Sequence, residues 1–210
     1  MKLIGMLDSP YVRRVAISLQ LLGLRFEHEP LSVFRTFEAF SRVNPVVKAP
    51  SLVCDSGVVL MDSTLILQHA EAIAAPRTLL PRAPADQERD LRVTGLALAA
   101  CEKSVQIVYE LELRPADARH APWLNRIRAQ LLAACNELDR ELASLPIPKD
   151  EGELTQGLLS AAVAWSFIQA MTPADAPPAP ALSRLGERAE GFPSFQRAPH
   201  GSGRMQQPAP

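Results

Sequence analysis

Asn44-Pro45-Val46-Val47-Lys48-Ala49-Pro50-Ser51-Leu52-Val53, followed within one hairpin by Met61-Asp62-Ser63-Thr64-Leu65-Ile66, is the stretch that decides the fold. Pro50 stands before an apolar β-type run and cannot donate to a sheet ladder, so it opens a strand, and a cis bond before it would turn the chain sharply. The backbone of Ala49 is then free to pair with something outside the sheet. Asp62-Ser63 falls where the next strand ends and a helix begins, a place where amide N–H groups point outward without intrahelical partners. An extended peptide carrying a carboxylate suits both features.

Working outward, Ser51 to Cys54 and Val58 to Met61 are two strands joined by Asp55-Ser56-Gly57, a hairpin signal. Asp62 or Ser63 caps the following helix, whose Leu65, Ile66, His69 and Ile73 are spaced for a buried stripe. Upstream, Lys2 to Met6 is a short apolar run suited to a central strand, in which Gly5 allows a close neighbour. Asp8-Ser9-Pro10 is a helix start, with Ser9 as N-cap and Pro10 at the first helical position. Val12, Val15, Ala16, Leu19 and Leu22 share one face of that helix, Arg13 and Arg14 lie off it, and Gly23 stops it. Arg25 to Glu29 alternates as a second strand, reached by a βαβ crossover. Residues 33–43 carry a weak helical pattern through Phe34, Phe37 and Phe40.

Downstream, Pro76, Pro81 and Pro84 mark a linker. A long helix is predicted from Asp86 to about Leu113 on Leu91, Leu98, Cys101, Val105 and Val108, ended by Pro115. A second runs from about Pro122 to Leu145, and a third, Leu154 to Ala170, is apolar nearly all round, as at the centre of a bundle. A proline-rich loop over 173–180 precedes a short helix near Leu182 to Glu190, and Phe192 and Phe195 then pin the chain back on the domain. The reading is an α/β thioredoxin-like N-terminal domain (1–75), a linker (76–85), an all-α C-terminal helical bundle domain (86–197) and a disordered tail (198–210).

At 210 residues, 47% of them hydrophobic, the chain can bury its cores without metal or disulfide staples. A net charge of −1 gives no electrostatic case for nucleic acid or an anionic membrane as partner. Cys54, Cys101 and Cys135 lie far apart and His28, His69, His120 and His200 have no ligand spacing, so no metal site is expected. No basic segment followed by an apolar run opens the chain and no uncharged stretch reaches membrane-spanning length, so the default expectation is a cytoplasmic protein.

Asn-Pro-x-x-Lys-Ala-Pro-x-Leu followed by Asp-Ser-x-x-Ile-Leu resembles the glutathione-binding half of the cytosolic glutathione S-transferase family, and Asp8-Ser9-Pro10-Tyr11-Val12-Arg13-Arg14-Val15 resembles its first-helix entrance in a bacterial, serine-type form. The likeness is strong over residues 1–80 and rests on helix pattern beyond them. It implies glutathione as co-substrate, no permanently bound cofactor, a small hydrophobic electrophile as second substrate, and a homodimer. Ser9 would be the catalytic hydroxyl, with Tyr11 as a fallback donor. A thiol of reference pKa ~8.5 needs about 2.7 kcal/mol of differential stabilisation to fall by about two units. One hydroxyl hydrogen bond plus a helix N-terminal field is of that order.

Ser before Pro is also an ordinary helix start, so capping stands as the alternative for Ser9, and one role is expected to dominate. The resemblance further gives Ala49, beside Pro50, backbone pairing with the cysteinyl unit. It gives Asp62 to the γ-glutamyl ammonium, Ser63 to its carboxylate and Lys48 to the glycyl carboxylate, with an ordinary helix cap as the other reading of Asp62 and Ser63 and a solvated side chain as that of Lys48. Leu7, Phe34, Tyr109 and Trp165 are the candidates for the electrophile pocket, with core packing as the other reading of each. Three places depart from the family pattern: Val47 replaces a glycine, Asp62 replaces the commoner glutamate, and Gly157-Leu158-Leu159-Ser160 falls where a capping box is usual. These keep open a non-catalytic, glutathione transferase-like binding or interaction module.

Overall fold

The computed structural model describes residues 1–201 and 203–205. The described residues form two compact units, 1–79 with 191–201 and 203–205, and 80–190.

In the first unit, β1 (Lys2–Ile4), β2 (Glu27–Glu29), β3 (Ser51–Val53) and β4 (Val59–Met61) form one sheet in the order β2-β1-β3-β4. β2 runs parallel to β1, with Leu3 opposite His28, while β3 and β4 are antiparallel, with Leu52 opposite Leu3 on one side and Leu60 on the other. The parallel pair needs a crossover, which α1 (Pro10–Leu21) supplies. Gly23 takes φ +71 and lets the Leu24 N–H reach the Leu19 carbonyl at 2.9 Å, which closes α1 where the sequence predicted a stop.

The helix after the second strand is shorter than predicted: α2 spans Phe37–Val43, with Phe40 buried and Phe34 and Phe37 exposed. In α3 (Ser63–Ala74) the buried residues are Ser63, Ile66, Leu67 and Ala70, while Leu65 and Ile73, expected inside, are exposed. The four-residue spacing was right, but Leu67 and Ala70 complete the face that meets the sheet.

Arg13 and Arg14, expected off the buried face of α1, are both buried. Arg13 donates from Nε to the Ala198 carbonyl at 2.7 Å and its guanidinium lies 5.3 Å from the centre of the Phe195 ring. It thereby docks α8 (Pro193–Arg197) on α1, helped by Gln20, which donates to the Ser194 carbonyl and accepts from Arg197 Nε. Residues 191–197, expected in the helical domain, therefore belong to the first unit. Of the tail predicted to be disordered, residues 202 and 206–210 lie outside the described residues. Within them Ala198 is buried, and the Met205 N–H donates to His28 Nδ1 at 3.1 Å.

The second unit packs α4 (Pro84–Val108) against α5 (Ala121–Ala143) and α6 (Gln156–Met171), with α7 (Pro180–Glu190) against α5 and α6. The buried side of α4 is Val93, Ala97, Ala100, Cys101, Ser104 and Ile107, whereas Leu91 is exposed. After Val108 the chain continues as a π-helical turn, Tyr109–Leu113. Buried Glu110 holds the following loop by accepting from Arg114 Nε at 3.1 Å and from the His120 N–H at 2.8 Å.

The N-terminus of α6 is capped in another way than the absent box suggested. Thr155 Oγ1 accepts the Leu158 N–H at 3.3 Å, and Asp90 of α4 supplies the carboxylate from across the interface, its Oδ1 accepting the Gly157 N–H at 3.0 Å. A Cβ on Gly157 would lie 2.5 Å from that oxygen and 2.8 Å from the Asp90 carbonyl, so only glycine lets α4 approach this closely. The missing helical acid is replaced by a buried one on a neighbour.

Candidate functional site

The loop between α2 and β3 is built by Asn44. Its Oδ1 accepts the Val46 N–H at 3.0 Å, closing an Asx turn, and its buried Nδ2 donates to Ser51 Oγ at 2.8 Å. Ser51 Oγ in turn donates to the Lys48 carbonyl at 2.8 Å. This network fixes both ends of the segment that carries Ala49. The Asn-Pro pair was the available signal for it, since that dipeptide starts turns, but Asn44 and Ser51 were not singled out.

The Ala49-Pro50 peptide is cis and Pro50 is buried at the head of β3. Neither the N–H nor the carbonyl of Ala49 has a hydrogen-bond partner among the described residues. Gly5 lies against this point, with the Ala49 Cβ 3.3 Å from where its own Cβ would stand. Val47 adopts φ 52, so the valine keeps the left-handed turn in which glycine is at ease.

Asp62 is the N-cap of α3 and takes φ 72, ψ 124, an unusual conformation that a non-glycine residue adopts at a cost of about 1–3 kcal/mol. Its Oδ1 accepts the Thr64 N–H at 2.9 Å and its Oδ2 lies 4.0 Å from Lys48 Nζ. Lys48 and Asp62 side chains are 52% and 47% exposed, so this pair is worth about 0–1 kcal/mol and is easily parted. The Ser63 N–H, first in the helix, has no partner among the described residues. Ser63 Oγ is buried and accepts from Arg14 Nη1 at 3.2 Å, a contact that nothing in the sequence reading anticipated.

Ser9 caps α1: its Oγ accepts the Val12 N–H at 3.4 Å, a long bond. A hydroxyl has one proton and two lone pairs, so accepting a cap bond leaves the proton to donate. Capping and donation by the same hydroxyl are therefore chemically compatible. α1 has no acidic residue in its first turn to oppose an anion at its N-terminus.

The four pocket candidates divide. Phe34 and Tyr109 are exposed, whereas Leu7 and Trp165 are buried and offer no surface. Trp165 packs on Gly186, with its Cδ1 2.9 Å from where a Cβ on that glycine would stand.

Among the described residues no group of three or more His, Cys, Asp or Glu side chains could hold a metal ion. Burial pushes the Cys135 thiol up to about 12 and also raises Cys54, so neither offers a thiolate at neutral pH. No helix among the described residues is long and apolar enough to cross a membrane.

Residues 3–78 match the family model of the glutathione S-transferase N-terminal domain. The uncharacterized GST-like protein YibF of Escherichia coli (strain K12) is 27% identical over 94% of this chain and 97% of its own. A glutathione S-transferase from Methylobacterium radiotolerans, solved in complex with glutathione sulfonate, superposes with a TM-score of 0.84 at 28% identity, covering 100% of this chain and 97% of that one. A glutathione transferase family member from Pseudomonas fluorescens Pf-5 with bound glutathione gives a TM-score of 0.77 at 26% identity, over 98% and 99% of the two chains. Residues 3–78 thus carry a glutathione S-transferase N-terminal domain, and the thioredoxin-like unit followed by a helical unit is the glutathione S-transferase fold.

Proposed function

We propose that the protein binds glutathione along Ala49, Asp62 and Ser63, stabilises its thiolate with Ser9 and conjugates it to a small hydrophobic electrophile. The observation that carries this reading is the Ala49 backbone, unpartnered among the described residues and held beside cis-Pro50 in the unit that also carries the starts of α1 and α3. The bound glutathione of the Pseudomonas relative and the glutathione sulfonate of the Methylobacterium relative support the ligand.

In this reading Ala49 N–H and carbonyl pair with the cysteinyl backbone, which requires no particular side chain. The Asp62 carboxylate receives the γ-glutamyl ammonium, and the Ser63 N–H and hydroxyl receive its carboxylate. Lys48 leaves its weak, exposed pair with Asp62 to meet the glycyl carboxylate. The Ser9 proton donates to the thiolate, assisted by the N-terminal field of α1. The thiol proton goes to water, sulfur forms one C–S bond, and the leaving group departs with the bonding pair. Exposed Phe34 is the apolar surface that the glutathione-binding unit itself retains for the electrophile.

The homodimer belongs to this proposal: the edge strand β4 exposes Val59 and Met61, and α3 exposes Leu65, apolar surface suited to a second copy. Light scattering showing only monomer at micromolar concentration would remove that part.

The test of the whole is calorimetric titration with reduced glutathione, with the ultraviolet thiolate band followed in parallel, on the parent and on Ser9→Ala. The expected result is binding in both proteins and a thiolate band at neutral pH in the parent alone. Binding without thiolate in either protein would favour the non-catalytic module and return Ser9 to capping. No binding at millimolar ligand would end the glutathione reading.

A further inference from the structure

We propose that Arg14 is a positioning residue for the carboxylate end of the bound peptide, a role that rests on the glutathione reading above. Arg14 lies on α1, five residues after Ser9, with only 4% of its surface exposed. Its Nη1 donates to Ser63 Oγ at 3.2 Å and reaches Thr64 Oγ1 at 3.4 Å, both in the first turn of α3. A guanidinium held behind a helix N-terminus adds a fixed positive charge to backbone amides that already favour an anion there.

The chemistry of the Ser63 hydroxyl supplies the positioning role. Arg14 can only donate, so it occupies a lone pair of Ser63 Oγ and turns the hydroxyl proton away from the guanidinium. That proton and the unpartnered Ser63 N–H are then two donors for one carboxylate, with a fixed positive charge one hydrogen bond behind them. Arg14 touches no ligand in this arrangement. It acts through Ser63, converting a hydroxyl that could accept or donate into one that donates. Because Ser9 and Arg14 belong to the same helix, the bridge to Ser63 also ties the thiol end of the site to the carboxylate end.

The test compares two ligands on the parent and on Arg14→Met by titration calorimetry. One is glutathione. The other is 4-aminobutyryl-cysteinyl-glycine, which keeps the ammonium and the thiol but lacks the α-carboxylate. The expected result is that Arg14→Met weakens glutathione by about tenfold to a hundredfold, the scale of a lost charge-assisted hydrogen bond. Affinity for the truncated peptide stays within about twofold, so the preference for the full peptide collapses. The thiolate band at saturating ligand is retained, because Ser9 is untouched.

Equal weakening of both ligands would mark Arg14 as merely structural and overturn the proposal, as would an unchanged preference. A parent that binds neither peptide would overturn the underlying glutathione reading instead. Circular dichroism checks folding. Should Arg14→Met fail to fold, Arg14→Lys decides the matter: it keeps the charge but not the rigid, planar guanidinium that aims Nη1 at the Ser63 hydroxyl, so a partial, severalfold loss of preference is expected, and full preference would overturn the proposal.

Discussion

The φ of 52 at Val47 makes a prediction whose sign is unusual. An L residue in the left-handed region is held there at about 1–2 kcal/mol. Glycine escapes that cost but, having more freedom in the unfolded chain, is elsewhere about 0.5–1 kcal/mol less stabilising than alanine. Val47→Gly and Val47→Ala both lose the packing of the valine side chain, so comparing them isolates the backbone. The difference leaves Val47→Gly more stable than Val47→Ala by roughly 0.5–1 kcal/mol, the reverse of the ordinary order. Both tryptophans, Trp123 and Trp165, lie in the helical unit, so fluorescence would report on the wrong part of the chain. Amide exchange in peptides covering β3 and β4 reads the right one, and roughly two- to fivefold slower exchange in Val47→Gly than in Val47→Ala is the expected outcome. If the alanine variant exchanged as slowly as the glycine variant or more slowly, the left-handed turn at 47 would be refuted, and with it the account of how Lys48 and Ala49 are presented.

Two further outcomes follow from the packing. Gly157→Ala places a methyl group against Asp90 Oδ1 and the Asp90 carbonyl, so it should destabilise the helical unit by about 1–3 kcal/mol despite alanine's better helix propensity, read as a lower urea midpoint by tryptophan fluorescence. His28 is held neutral: Nε2 must carry the proton to donate to the Gly5 carbonyl at 2.7 Å, and Nδ1 must accept from the Met205 N–H. Burial pushes its pKa below the usual 6.5, against the raising effect of the Gly5 bond and with a small further lowering by Arg204. Below 6.5 the unfolded chain therefore binds a proton that the folded one does not, so stability falls as pH drops through the window between the folded value and 6.5. His28→Gln keeps a donor and an acceptor without titrating, and urea midpoints at pH about 7.5 and about 5.5 should differ less in it than in the parent. An equal difference in both proteins would dissociate His28 from this slope.

Local rules made the α/β half legible. Pro50 at a strand head, Ser9-Pro10 at a helix start, Gly23 at a helix stop and Asp55-Ser56-Gly57 in a hairpin are each fixed by the conformational limits of one or two residues, and the structure places each as read. Tertiary compensation was not legible. Arg13 and Arg14 look like solvent-facing charges on a helical wheel, and the return of α8 and the arrival of Ser63 bring them partners that help make burial tolerable. Asp90 as the cap of α6 is the same kind of event, joining residues 67 positions apart. The stripes of α3 and α4 were misplaced because periodicity gives the spacing of buried positions, while neighbours decide how far around the helix the covered face extends.

The departures from the family pattern weigh differently once the site is divided into backbone and side-chain work. Where the backbone does the work, as at Val47 and Ala49, a changed side chain alters the cost of the conformation and not the groups it presents: Val47 keeps the left-handed turn and Ala49 keeps its N–H and carbonyl unpartnered among the described residues. Where a side chain does the work, as at Asp62, a lost methylene must be made up elsewhere. Asp62 already shares Oδ1 with the Thr64 N–H, and Oδ2, now near Lys48, is the oxygen with no backbone bond to compete with an ammonium. The proposed peptide therefore draws most of its recognition from the Ala49 backbone and the Ser63 donors, and less from Asp62. Arg14, the buried cation that orients Ser63, is on this argument the group through which the carboxylate end of the site is held in register.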